Sequence, residues 1–192
     1  MTPRRVESLA DGIFAFAMTL LVLSINQPGT GPGVNVGAYL LGQYQNFWNF
    51  ALSFLLLATF WISHSQQYHH IKKTDAVTLW LNILMLLFVV LIPFSASLMN
   101  DHTSDLAAEV FFNSNLLVLS SLLAFNWGYA FKKGLIEPAG EEKQIALVSR
   151  KMLYTPVIAL LALVAAFLYP GWSTLAYLLV PLVIFVPERI YK

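Results

Sequence analysis

Of its 192 residues 58% are hydrophobic and 11% charged, and the mean hydropathy is +0.67, far from a soluble domain, in which about 25% of residues are charged. The chain reads as an all-α integral membrane protein, because its apolar runs are continuous rather than alternating every second residue as in a membrane β-barrel. The absence of cysteine excludes a disulfide framework and a thiolate metal site, and a net charge of +1 singles out no partner.

Asp, Glu, Lys and Arg are all missing from Gly12 through Ile71. That run is too long for one span, so the Pro28-Gly-Thr-Gly-Pro-Gly33 segment is read as a turn between two helices. The same reasoning divides the rest, giving six transmembrane helices in one domain at about 6–26, 38–66, 76–99, 109–131, 152–168 and 173–186. The second and third exceed the roughly 20 residues that a bilayer requires.

In the first segment, Arg4 and Arg5 ahead of an apolar run mimic a secretory signal. Glu7, Asp11 and the lack of an A-x-A site near Asn26 argue instead for a retained helix. A carboxylate inside a span needs a partner or an aqueous cavity. Asp11 lies about 9 Å along the axis from Arg5, and six residues apart the two do not share a face. Glu7 and Asp11, four apart, do share one, an unfavourable like-charge spacing unless donors or cations intervene. The partner of Asp11 is therefore expected on another helix, His64 first, or on a neighbouring subunit. Trp61, one turn before His64, offers an indole N–H or packs.

Asn82 on the third span and Asn126 on the fourth lie at the depth of His64, so the four helices share a polar layer whose members must find partners in hydrocarbon. A clamp holding the first helix to the second is the preferred role. The other is a proton or gating relay through Asp11 and His64.

Past Asp11, the residues Phe16, Thr19, Leu20 and Leu23 form a stripe at helical spacing. Gly12, Ala15 and Ala17 around it permit several copies of the helix to approach closely. Lipid or core contact suits such a stripe too, and periodicity leaves both open.

Lys and Arg fall only before the first span, after the even-numbered spans and at the C-terminus. The positive-inside rule then puts both termini in the cytoplasm. The outer connection after the third span holds Asp101, Asp105 and Glu109, which either concentrate cations or are simply solvated. His64-x4-His69-His70 offers too few convergent ligands for a di-iron enzyme, and His69 and His70 are expected solvated beside Lys72. With no phosphate loop, nucleophile triad or nucleic-acid surface, the chain is expected not to be an enzyme and to bind neither cofactor, nucleic acid nor small-molecule substrate. Pro93, Pro156 and Pro181 are candidate helix breaks for a secondary ion transporter, although no internal repeat accompanies them.

Arg5-x3-Leu9-Ala10-Asp11-Gly12, followed by Ile13-Phe14-Ala15-Phe16-Ala17-Met18-Thr19-Leu20-Leu21, resembles the R-x3-F-S-D signature helix of the transmembrane protein 175 potassium channels. Phe60-Trp61-x-x-His64, Asp75, Leu81-Asn82 and Pro93-Phe94 extend the agreement. It covers the first half of the chain, and the second half only through span count and topology. A single six-span unit is similar to the bacterial branch, animal members carrying two.

The resemblance implies a potassium-permeable channel in a bacterial inner membrane, with four subunits placing their first helices around an axis. It also implies an apolar constriction at Phe16 in place of a carbonyl filter loop, and the chain has no T-V-G-Y-G sequence. Leu20 and Leu23 match further pore-lining positions, and Thr19 a hydroxyl tied to ion preference. Arg5, Asp11, Trp61 and His64 match the network that holds the pore helix, with Asn82 at the same depth. Potassium is then a transient permeant rather than a resident metal. A proton-permeable channel using Asp11 and His64 is the alternative. Leu9 and Ala10 depart from the family's Phe and Ser, and Phe16 from its usual Ile or Leu. Four Phe rings are bulkier than four Ile side chains, so the closed pore is expected to be dewetted and basal conductance low.

Overall fold

The computed structural model describes residues 2–25, 35–102, 105–137, 142–169 and 173–180. The expected turn at 28–33, Pro181 and the 181–186 part of the expected sixth span lie outside them. The architecture is all-helical: α1 (Pro3–Leu20) continues as a 3-10 turn over Leu21–Ser24, followed by α2 (Val36–Gly42), α3 (Tyr44–His70), α4 (Ala76–Asp101), α5 (Leu106–Lys132), α6 (Glu142–Leu168) and a 3-10 helix over Ser173–Leu178. Among the described residues, five helices (α1 with its 3-10 turn, α3, α4, α5 and α6) are long and apolar enough to cross a bilayer, making this a multi-pass membrane protein.

Two expected boundaries move. The fifth span was expected from residue 152, where charge ends, yet α6 starts at Glu142 and carries Lys143, Arg150 and Lys151. Charge marks where a helix leaves hydrocarbon and not where it stops being a helix. The second segment is split for a different reason, because the backbone leaves helical geometry at Gln43 (φ −88°, ψ 8°) before α3 begins.

α1 lies against α3 and α4, α4 against α5, α5 against α6, and the last 3-10 helix against α6. The buried stripe of α1 is Val6, Ala10, Phe14, Ala17 and Leu21, one face at helical spacing. It meets a core that includes Leu56 and Phe60 of α3 and Val89 and Ile92 of α4. Lipid tails are as apolar as this core, so the fit and the interhelical hydrogen bonds, rather than escape from water, select the arrangement.

The acids of the outer connection are not all solvated. Asp105 caps α5, its Oδ1 accepting from the N–H of Ala107 at 2.8 Å and of Ala108 at 3.4 Å. Glu109 is buried and accepts from the Ser173 hydroxyl at 2.6 Å, while Asn113 donates to Ser173 at 3.2 Å and accepts from Tyr177 at 2.8 Å. This chain of bonds fastens the last 3-10 helix to α5.

At the opposite end, Gly134 takes φ +66° and closes α5, a left-handed conformation that glycine adopts without a Cβ clash. The Lys72 N–H then donates to the Leu135 carbonyl at 3.0 Å, tying the α3–α4 connection to the α5–α6 connection. Asp75 caps α4 in a reciprocal box, Oδ1 accepting from the Thr78 N–H at 2.9 Å and Thr78 Oγ1 accepting from the Asp75 N–H at 3.0 Å. Its Oδ2 accepts from the Tyr129 hydroxyl at 2.7 Å. The Thr78 N–H first, and then the Tyr129 hydroxyl, hold the Asp75 carboxyl below its ordinary value.

Asp75→Ala is expected to lower stability by about 1 kcal/mol, read as a lower thermal midpoint in detergent. Because the folded carboxyl titrates lower than the unfolded one, the wild-type advantage is complete above about pH 4. It fades as pH falls through the folded value, so the midpoints of the two proteins converge in acid.

Candidate functional site

Glu7 and Asp11, one turn apart on α1, face Ser65 and Trp61, one turn apart on α3. The Trp61 indole Nε1 donates to Asp11 Oδ1 at 2.8 Å, and the Ser65 hydroxyl donates to Glu7 Oε1 at 3.2 Å. These two rungs give each carboxylate the donor that the like-charge spacing demands. The side chain that meets Asp11 is thus Trp61 and not His64.

His64, between Trp61 and Ser65 on α3, is fully buried, and its Nε2 shares a hydrogen bond of 2.8 Å with Asn82 Oδ1 on α4. Its ring stacks on Tyr68 with centroids 4.5 Å apart and lies 6.1 Å from Phe14 of α1. The polar layer therefore consists of two pieces: an α1–α3 ladder at the bundle edge, and a buried α3–α4 pair. Asn126 is buried on α5. Arg5 is exposed, and its side chain has no hydrogen bond or ion pair among the described residues. Of the expected network, Asp11, Trp61, His64 and Asn82 come together and Arg5 stands apart from them.

The C-terminal end of α1 is held by residues that the sequence reading missed. Asn100 of α4 donates to the Ser24 carbonyl at 2.9 Å and accepts from Asn49 of α3 at 2.8 Å. The 3-10 turn Leu21–Ser24 leaves that carbonyl without a partner further along its own helix, so Asn100 supplies one. Depth counting from the expected spans could not have paired these two asparagines, because Asn49 lies 11 residues inside the second span (49 − 38) and Asn100 just beyond the end of the third.

Anchoring from both ends uses only one side of α1. The opposite side holds Arg5, Ser8, Gly12, Phe16, Thr19 and Leu23, successive positions of one face at helical spacing. Phe16 is 62% and Leu23 72% exposed within the subunit, against 1% for Phe14 and none for Leu21. Leu20 lies at its margin, half-buried. Thr19 donates its hydroxyl proton to the Phe16 carbonyl at 2.7 Å, and Ser8 does the same to Arg4 at 3.0 Å. Each hydroxyl oxygen keeps its lone pairs for whatever lies on that face. Among the described residues a Cβ built on Gly12 meets nothing within 4 Å, so none of their contacts requires a glycine there. Beside this face, Asp11, Phe14, Ala15, Met18 and Trp61 line a groove of about 420 Å³.

Known proteins are similar to this chain in sequence and in fold. The family described as endosomal/lysosomal potassium channel TMEM175 matches residues 5–93, which include α1 from Arg5 onward, Trp61, His64 and Asn82. A potassium channel of Streptomyces collinus is 30% identical over 176 residues, covering 84% of this chain and 83% of that protein. The endosomal/lysosomal proton channel TMEM175 of Mus musculus is 27% identical over 191 residues, covering 91% of this chain and 38% of that one. The crystal structure of a lysosomal potassium-selective channel TMEM175 homolog from Chamaesiphon minutus superposes with a TM-score of 0.82 at 23% identity, covering 94% of this chain and 95% of that chain. At that identity the superposition speaks for the fold, while the sequence match to the Streptomyces protein carries the kinship. The chain belongs to the TMEM175 family of ion channels, not to a family of enzymes.

Proposed function

We propose that the chain is a potassium-permeable cation channel, a homotetramer in a bacterial inner membrane with both termini cytoplasmic and the first helices around the axis. The observation that carries this reading is the composition of the free face of α1. A face turned to lipid favours large apolar side chains. This one alternates Phe16 and Leu23 with Gly12, Thr19, Ser8 and Arg5, residues suited to close helix approach and to an aqueous path. The glycine that no contact among the described residues requires gains a reason at an axis where four copies converge.

Permeation then depends on side chains. Phe16 forms an apolar ring that excludes water when closed, and ions pass only when the rings turn aside. Thr19 places an acceptor oxygen one turn beyond, with Leu20 and Leu23 continuing the lining. Asp11, Trp61, His64 and Asn82 hold the helix from behind, and Arg5 at the inner mouth finds its partner on another subunit. Kinship to a named potassium channel of Streptomyces supports potassium as the permeant ion. The mouse relative is named a proton channel, which supports a second reading, proton permeation using Asp11 and His64.

Purified protein in bilayers with potassium on one side and sodium on the other is expected to give a current that reverses at a potential favouring potassium. Reversal at zero, or no current, removes the potassium reading, and a reversal that follows only a proton gradient selects the second. Phe16→Ala is expected to raise single-channel conductance several-fold. No change there, with a strong effect of Leu20→Ala or Leu23→Ala, moves the constriction outward.

Trp61→Phe keeps a ring in place and removes the donor to Asp11. Current is expected to fall several-fold while circular dichroism keeps its helical signal, because α1 loses an inner anchor but not its packing stripe.

A further inference from the structure

Between the end of α3 and the first turns of α6 is a pocket of about 170 Å³, lined on its polar side by Gln66, His69, His70, Gln144 and Lys151. Leu147 and Val148 form its apolar wall. Every ionisable group among these lining residues is basic. The ammonium of Lys151 makes it hostile to a metal cation, while amide N–H groups, imidazoles and a lysine together suit an oxyanion. Lysine binds phosphate as a point charge and needs no fixed fork geometry to do so.

The corner is firmly built. His70, expected from sequence to be solvated, is buried with its ring edge-on to Trp127 of α5 at 6.2 Å. Trp127 Nε1 in turn donates to Ser149 Oγ of α6 at 2.8 Å. One wall is thereby locked to α5 and α6 before any ligand arrives.

Depth selects the source of the anion. Lys151 immediately precedes the uncharged run 152–168, and His70 ends α3 just before Lys72 and Lys73, so the pocket lies where the helices leave hydrocarbon. Basic pockets between transmembrane helices at that level accept lipid head groups. The Leu147–Val148 wall offers contact to a glycerol and the start of an acyl chain, which a free phosphate cannot use. We propose that this pocket binds the phosphate of an anionic phospholipid.

Binding can be followed without any current, on the full chain in detergent, as retained adducts in native mass spectrometry and as a rise in thermal midpoint. The probes are phosphatidylglycerol, phosphatidylcholine and inorganic phosphate. Phosphatidylglycerol is expected to bind one per subunit, at least threefold more weakly in Lys151→Gln and in His69→Gln. Arg150→Gln, which removes the same charge one residue outside the lining, is expected to bind as wild type does. His69 is exposed, so His69→Gln reads the site even where Lys151→Gln folds poorly. Equal weakening in Arg150→Gln assigns the binding to diffuse surface charge and overturns the proposal. So does equal binding of phosphatidylcholine, or displacement of the lipid by inorganic phosphate at matching concentration.

Discussion

The ladder between α1 and α3 is the constraint on which the rest depends. Two carboxylates spaced one turn apart at the start of a membrane helix repel each other and resist leaving water. They become tolerable only beside two donors at the same spacing, and Trp61 and Ser65 on α3 provide that match. Rotating α1 about its axis, or sliding it by a residue, separates both carboxylates from their donors at once. One pair of hydrogen bonds therefore sets the rotation, the height and the neighbour of the first helix together.

Once rotation is set, the two faces of α1 have different fates. Ala10, Phe14, Ala17 and Leu21 go into the bundle, and Gly12, Phe16, Thr19 and Leu23 cannot follow them. Asn100 and Asn49 secure the C-terminal end, so the helix is held at both ends and from one side. An element held in this way presents its free face with little latitude in the backbone. For the proposed pore, change at the constriction then falls to side-chain rotation at Phe16, whose ring occupies open space within the subunit.

Depth in the membrane was legible from the sequence, and pairing was not. Counting from the charged loops brought His64, Asn82 and Asp11 to one level, and the structure joins two of them directly. The choice of Trp61 over His64 as the donor to Asp11 depends on how the helices are rotated, which residue spacing on separate helices does not contain. The same limit hid His70, whose place against Trp127 of α5 arises from a contact 57 positions away along the chain. Helix ends misled for a different reason, since the charged residues that end the hydrocarbon at Met152 are good helix formers and α6 runs on through them to Glu142.

By itself the sequence determined that the chain spans a membrane as helices, that charge could not be left unpaired on the first of them, and that its signature belongs with the TMEM175 channels. Those properties are set by transfer energies and residue order, which act locally. Tertiary structure alone decided which donor each buried group obtains, which face of α1 stays open, and that His69, His70 and Lys151 converge on one pocket. Hydrogen bonds and van der Waals contacts between helices are short-ranged, so these outcomes exist only once the helices have been placed side by side.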